Sequence, residues 1–277
     1  MKVIHLKSDN DHNNINKHMF NSYINHNTIA IIGSAPSSSI NSALPKQKRV
    51  EALISLYTEG KLEEGVTVGT ALSKEFPDNP IIPNILGAIY GALGKNEEAI
   101  VHFKKSIKLK PNNFSVYNNL GVILRDIGKY KKSISSCKKS IILKPDNAAA
   151  YNNLGTSLHE LSNNGEATSC YHKAIRLNPK NALFYNNVGN VFNITGDYDQ
   201  AIIHYNKAIE LEPNLVKAHD NLGDVYNKVG RYEDAVSHYY LVNTPNAESK
   251  VIECLYKAEK YSQIYEQPSL IEKSRNT

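Results

Sequence analysis

Tryptophan is absent from this chain of 277 residues, and there are only two methionines and three cysteines. Cys137, Cys170 and Cys254 form no C-x-x-C pair, which excludes a disulfide framework or a cysteine-based zinc site and fits a reducing compartment. No stretch approaches the about 20 consecutive apolar residues that span a bilayer. The opening Met1–Asp9 lacks the apolar run of a secretory leader. A cytoplasmic location is therefore expected. Charge of one sign is also scarce: the net charge is +5 with 21% charged residues. The lysine pairs Lys104-Lys105, Lys131-Lys132 and Lys138-Lys139 read as solvated faces. There is no zinc spacing, aromatic RNA-binding motif or isolated basic arm, so neither nucleic acid nor membrane is expected as a partner. Phosphate-cradling glycine loops, a His-x-Asp triad and a Ser-His-Asp order are missing too. The reading is of a protein that is not an enzyme and holds no cofactor.

What the chain has in quantity is repetition. Glycines at 87, 121, 155, 189 and 223 step by 34 residues, and Pro77, Pro111, Pro145, Pro179 and Pro213 step in phase with them. Self-similarity at this period marks stacked helix–turn–helix units. If the glycine is position 8 and the proline position 32, the units run 46–79, 80–113, 114–147, 148–181, 182–215 and 216–249.

One unit is legible as a helix pair. Over 114–127, Val116 or Tyr117, Leu120, Ile123 or Leu124 and Ile127 recur at spacings of three and four, which makes one face of a helix apolar. Gly128 follows at position 15, and Gly60, Gly94, Gly196 and Gly230 match it, placed to close a helix in the left-handed conformation. The fourth unit has Ser162 there, and Ser162-Asn163-Asn164-Gly165 predicts a shifted turn. Ala201, Tyr205, Ala208 and Leu211 form one face of a second helix, which the proline then stops. Small residues at position 20 (Ala99, Ser133, Ala167, Ala201, Ala235) let the helices approach opposite the glycine of position 8. A single pair cannot bury its apolar face, so neighbours must share one.

The residues now carry a resemblance. Tyrosine at 4, Leu-Gly at 7–8, an apolar or aromatic residue at 11 (Tyr90, Leu124, Leu158, Phe192, Tyr226), alanine at 20, an aromatic at 24 and proline at 32 resemble the tetratricopeptide repeat. The resemblance implies an all-α fold, a right-handed α-α superhelix, with the first helices along its concave side. It covers about 46–249.

The ends differ in kind. Residues 1–45 are rich in Asn, Ser and His and are expected to be disordered, with Thr28–Ile32 a short apolar patch. His5, His12, His18 and His26 are too irregularly spaced for a metal site. The first unit has Leu53 in place of the glycine, with Gly65 and Gly69 in its second helix, and reads as an N-terminal cap. Ala247 replaces the sixth proline, and 250–277 are expected to form capping helices and a polar tail.

The candidate site is a row of amides. Asn119, Asn153, Asn187 and Asn221 hold position 6 in four successive units, and Asn118, Asn152 and Asn186 precede three of them. Asparagine is a mediocre helix former, so the row calls for a reason. A side-chain amide pairs with a peptide backbone as another peptide group would. Arg125, His159, Asn190, Asn193 and Asp224 flank the row and would select side chains. The ladder resembles the one lining the repeat superhelix of the nucleocytoplasmic N-acetylglucosamine transferase. That implies a protein-interaction scaffold whose groove holds an extended segment of a partner protein. The alternative is a recognition arm of a larger glycosyltransferase, sulfotransferase or oxygenase whose catalytic part lies elsewhere. A clamp for C-terminal carboxylates of chaperones is excluded, because Asn186 stands where its first lysine belongs and Val251 and Leu255 where its two cations belong.

Overall fold

A computed structural model describes residues 45–242 and 244–259. The expectations for 1–44, including the patch at 28–32 and the four histidines, lie outside the described residues, as does the tail from 260 onward. Among the described residues there are thirteen helices and no strand. They fall into two compact units that divide after Pro145.

The first unit contains α1 (Lys46–Thr58), α2 (Leu62–Glu75), α3 (Ile81–Ala92), α4 (Asn96–Leu109), α5 (Phe114–Asp126) and α6 (Tyr130–Leu143). The second contains α7 (Ala148–His159), α8 (Asn164–Leu177), α9 (Ala182–Thr195), α10 (Tyr198–Leu211), α11 (Val216–Lys228), α12 (Tyr232–Val242) and α13 (Pro245–Lys257). Within each unit every odd-numbered helix packs on the even-numbered helix after it, and that helix packs on the next odd one. The result is the expected stack of helix–turn–helix repeats. Leu53, Leu72, Ile82, Ile85, Leu86 and Phe103 are completely or almost completely buried in the first core. Tyr205, Leu222, Val225, Tyr239, Val251 and Cys254 are so in the second. Each such Leu, Ile, Val or Phe side chain contributes about 1.5–3 kcal/mol. Cys137 and Cys254 are buried, whereas Cys170 is only half-buried.

Asparagine has a second use that the sequence reading did not assign. Asn113, Asn147 and Asn181, one residue before α5, α7 and α9, accept hydrogen bonds from the backbone N–H of Ser115, Ala150 and Leu183. These N-caps satisfy donors that the helix leaves orphaned.

The turn between paired helices is constant. Gly128 has φ 72° and Gly196 φ 82°, and Ser162 takes the same left-handed conformation at φ 59°. The turn at Ser162 is therefore not shifted, and α8 begins at position 17 like the other second helices. His159 holds it, with Nδ1 2.9 Å from Asn164 Oδ1.

Close approach at position 8 is set mainly by position 24. A Cβ on Gly189 would lie 2.6 Å from the Tyr205 ring, and one on Gly121 would lie 2.7 Å from Cys137 Sγ. The first repeat inverts the sizes: Leu53 stands at position 8 and Gly69 at position 24, where a Cβ would lie 2.6 Å from Leu86 of the next repeat and 3.3 Å from Leu53. The larger member of the pair thus stands on the other helix, and the next repeat helps fill the space beside the glycine. Arg49 adds a two-pronged bond to Glu75, with Nη1–Oε1 2.5 Å and Nη2–Oε2 2.6 Å, tying α1 to α2.

The 34-residue step fails once. Glu259 has φ 58°, the conformation of position 15, yet it lies 29 residues after Gly230. α12 is short, and α13 begins at Pro245, capped by Thr244, whose Oγ1 accepts from Ala247 N–H at 3.2 Å. This register puts Lys250, not Leu255, at position 6.

Candidate protein-binding site

In the second unit the predicted amides bond to one another from repeat to repeat. Asn187 Nδ2 donates to Asn152 Oδ1 at 2.8 Å, and Asn221 Nδ2 donates to Asn186 Oδ1 at 3.0 Å. Each rung joins position 6 of one repeat to position 5 of the repeat before it. Asn221 Nδ2 also reaches Asn190 Oδ1 at 3.0 Å. A parallel rung links Lys228 Nζ to Asn193 Oδ1 at 2.7 Å, and Lys257 Nζ to Asn227 Oδ1 at 3.2 Å.

The last rung is ionic. Lys250 Nζ lies 2.6 Å from Asp220 Oδ1 and 2.8 Å from Asp224 Oδ1, where the preceding repeat places an asparagine amide against two amide oxygens. Burial works against the ammonium, but the two carboxylates outweigh it and raise the Lys250 pKa above the ordinary lysine value. The register also revises why the carboxylate clamp is absent. A cation does occupy position 6, but its charge is met by Asp220 and Asp224, and Asn246 stands at position 2 in place of a lysine.

Behind the row, position 24 supports position 9. Tyr205 Oη donates to Asn190 Oδ1 at 2.8 Å, Tyr239 Oη to Asp224 Oδ1 at 2.7 Å, and Tyr171 Oη reaches Thr156 Oγ1 at 3.3 Å. Burial, and then the hydrogen bond to Asp224, raise the Tyr239 pKa far above the usual phenol range, so the hydroxyl stays a donor. Repeats without a hydroxyl at 24 have an apolar residue at 9, as in Phe103 with Ala88 and Cys137 with Val122. That pairing was readable from the sequence and was missed. The position-24 tyrosines therefore pack as expected and also orient the row.

In the first unit the arrangement differs. Asn84 and Asn119 hold the equivalent positions 5 and 6 of successive repeats, yet Asn84 Oδ1 is buried without a partner. Asn118 and Asn153 are buried, at 4% and 3% exposure, while Asn119, Asn152, Asn187 and Asn221 are half-buried. Arg125 is engaged by its neighbour, with Nη2 2.8 Å from Asp126 Oδ1. Among the described residues no group of three or more His, Cys, Asp or Glu side chains is placed to hold a metal ion. None of the described helices is long and apolar enough to cross a membrane.

The paired helices, the turn at position 15 and the rungs define an all-α repeat protein. Family models described as TPR repeat match 87–125 and 189–230, and others described as tetratricopeptide repeat match 114–147, 148–181 and 170–203. The chain belongs to the tetratricopeptide repeat family. No curated protein matches it. Among solved structures it is similar to one of the APC/C hetero-tetramer Cut9–Hcn1, with 19% identity and a TM-score of 0.69 over 76% of this chain and 43% of that one. It thus spans less than half the length of that neighbour. A MamA protein is 30% identical over 66% of this chain and 94% of its own, with a TM-score of 0.50. YrrB, described as a TPR protein with an unusual peptide-binding site, is 18% identical over 69% of this chain and 97% of its own, with a TM-score of 0.51.

Proposed function

We propose that this chain is a protein-interaction scaffold in which the first-helix amide row holds an extended segment of a partner by its peptide carbonyls. One observation carries the reading. In the second unit the oxygens of Asn152 and Asn190 already accept bonds within the protein, whereas their amide hydrogens are not used there. Both side chains are half-buried. What they offer a partner is therefore chiefly N–H, the complement of an extended backbone's C=O. Each such bond adds about 0.5–1.5 kcal/mol net, so micromolar capture needs several.

Replacing all four position-6 asparagines by alanine would disturb the rungs as well as the row, so a cleaner variant is needed. N152D/N190D keeps each oxygen acceptor and removes each donor. Peptides selected on the wild-type protein from a phage-displayed library of unstructured sequences are the probe. The variant should retain the helical spectrum and melting temperature while losing roughly tenfold or more in affinity. A control substitution on the exposed second-helix Asn206, N206D, should bind as wild type. Equal binding by the N152D/N190D variant contradicts the reading.

A further inference from the structure

The second helices follow one electrostatic habit with a single exception among those described. α2 opens with Glu63 and Glu64, α4 with Glu97 and Glu98, α8 with Glu166, α10 with Asp199 and α12 with Glu233 and Asp234. An acidic first turn complements the partial positive charge of a helix N-terminus. α6 reverses the pattern: Lys131 and Lys132 occupy its first turn and it contains no acidic residue at all. Cations placed there oppose the helix dipole, an arrangement unfavourable by about 0.3–1 kcal/mol each.

This reversal sits in a wider imbalance. Residues 95–144 hold twelve lysine or arginine side chains against three acidic ones, in a chain whose total is only +5. Lys104, Lys108, Lys131, Lys132, Lys138 and Lys139 are exposed. None of them has a carboxylate partner among the described residues, although lysines elsewhere do, as in Lys207–Glu210 and Lys257–Glu253. Lys104 and Lys138 hold the same position in successive repeats. Two aliphatic side chains stand out on the same helices, Val101 at 65% and Ile142 at 71% exposure.

We propose that the exposed faces of α4 and α6 bind an acidic polypeptide segment in which carboxylates alternate with aliphatic side chains. The surface pairs unneutralised ammonium groups with isolated aliphatic contacts, and that composition is what such a segment complements. Nucleic acid fits less well, because neither helix offers an arginine fork for phosphates or an exposed ring on which bases stack. A lipid surface fits less well, because two aliphatic side chains without an interfacial aromatic give little to insert. This surface lies on second helices and stands or falls independently of the amide row.

Fluorescence anisotropy with a labelled synthetic peptide of alternating glutamate and leucine tests it, beside a single-stranded oligonucleotide and phosphatidylserine-containing vesicles. At 50 mM salt the peptide should bind most tightly, and 500 mM salt should weaken it about tenfold or more. K131E/K132E should melt at a higher temperature than wild type, since the helix dipole is then complemented, while losing about tenfold in peptide affinity. K138E/K139E should lose affinity without that gain. Tighter binding of oligonucleotide or vesicles, no binding of the peptide, or undiminished binding by both variants overturns the proposal.

Discussion

The two units are built from the same helix pair and differ in how successive first helices meet. In the second unit every rung described is made: Asn187 to Asn152, Asn221 to Asn186, Lys250 to Asp220. In the first unit the equivalent pair, Asn119 and Asn84, leaves a buried oxygen without a partner. The flanking positions differ as well. The first unit has Ile81, Ile85, Ala88 and Gly91 where the second has Lys217, Asn221, Asp224 and Asn227. Apolar packing holds the repeats of both units together, and the second unit adds polar cross-links between its successive first helices. Apolar packing tolerates any residue of suitable volume, whereas a polar rung needs both members present. The second unit should therefore be the more sensitive to single polar substitutions.

The largest effect that would break this contrast is at the ionic rung. Lys250→Met leaves Asp220 and Asp224 facing each other without a counter-charge, and should cost about 1–3 kcal/mol by urea denaturation. Substituting Lys105, whose Nζ meets Ser73 Oγ at 3.0 Å in the first unit, should cost far less. Equal losses would dissolve the contrast.

A smaller effect sharpens it. Burial holds the pKa of one described histidine in the first unit, His102, and of three in the second, His172, His204 and His238, below the ordinary value. The unfolded chain binds protons on these groups before the folded one does. Their contribution is therefore complete above pH ~6.5 and is lost as pH falls from there toward the lowered folded values. Native-state hydrogen exchange between pH 8 and 5 should show the second unit losing protection more than the first. A uniform loss would assign the acid sensitivity elsewhere.

Much of this is legible in the sequence, because the 34-residue combs are strictly local signals: a glycine that closes one turn, a proline that stops one helix, a small residue where two helices touch. The fold class and the family follow from them. The unshifted turn at Ser162 is not legible because serine at a left-handed position is uncommon, and the bond that holds the turn, from His159 to Asn164, is a side-chain contact that spacing does not reveal. The register after α12 was misjudged because the 34-residue step was extended through a shortened helix. Thr244-Pro245, an N-cap followed by proline in the first turn, was the available signal. The amide row was visible, but its partners were not. A side chain 35 residues away becomes a neighbour only when repeats stack, and spacing alone does not separate an amide that faces a ligand from one that bonds the next repeat.

The most direct measurement is a pair of double-mutant cycles on denaturation free energy. The cycle of Asn186→Ala with Asn221→Ala should give a coupling of about 0.5–1.5 kcal/mol. The cycle of Asn84→Ala with Asn119→Ala should give a coupling within error of zero. Coupling of the same size in both, or none between Asn186 and Asn221, would contradict the account of the second unit as a stack cross-linked through its first helices.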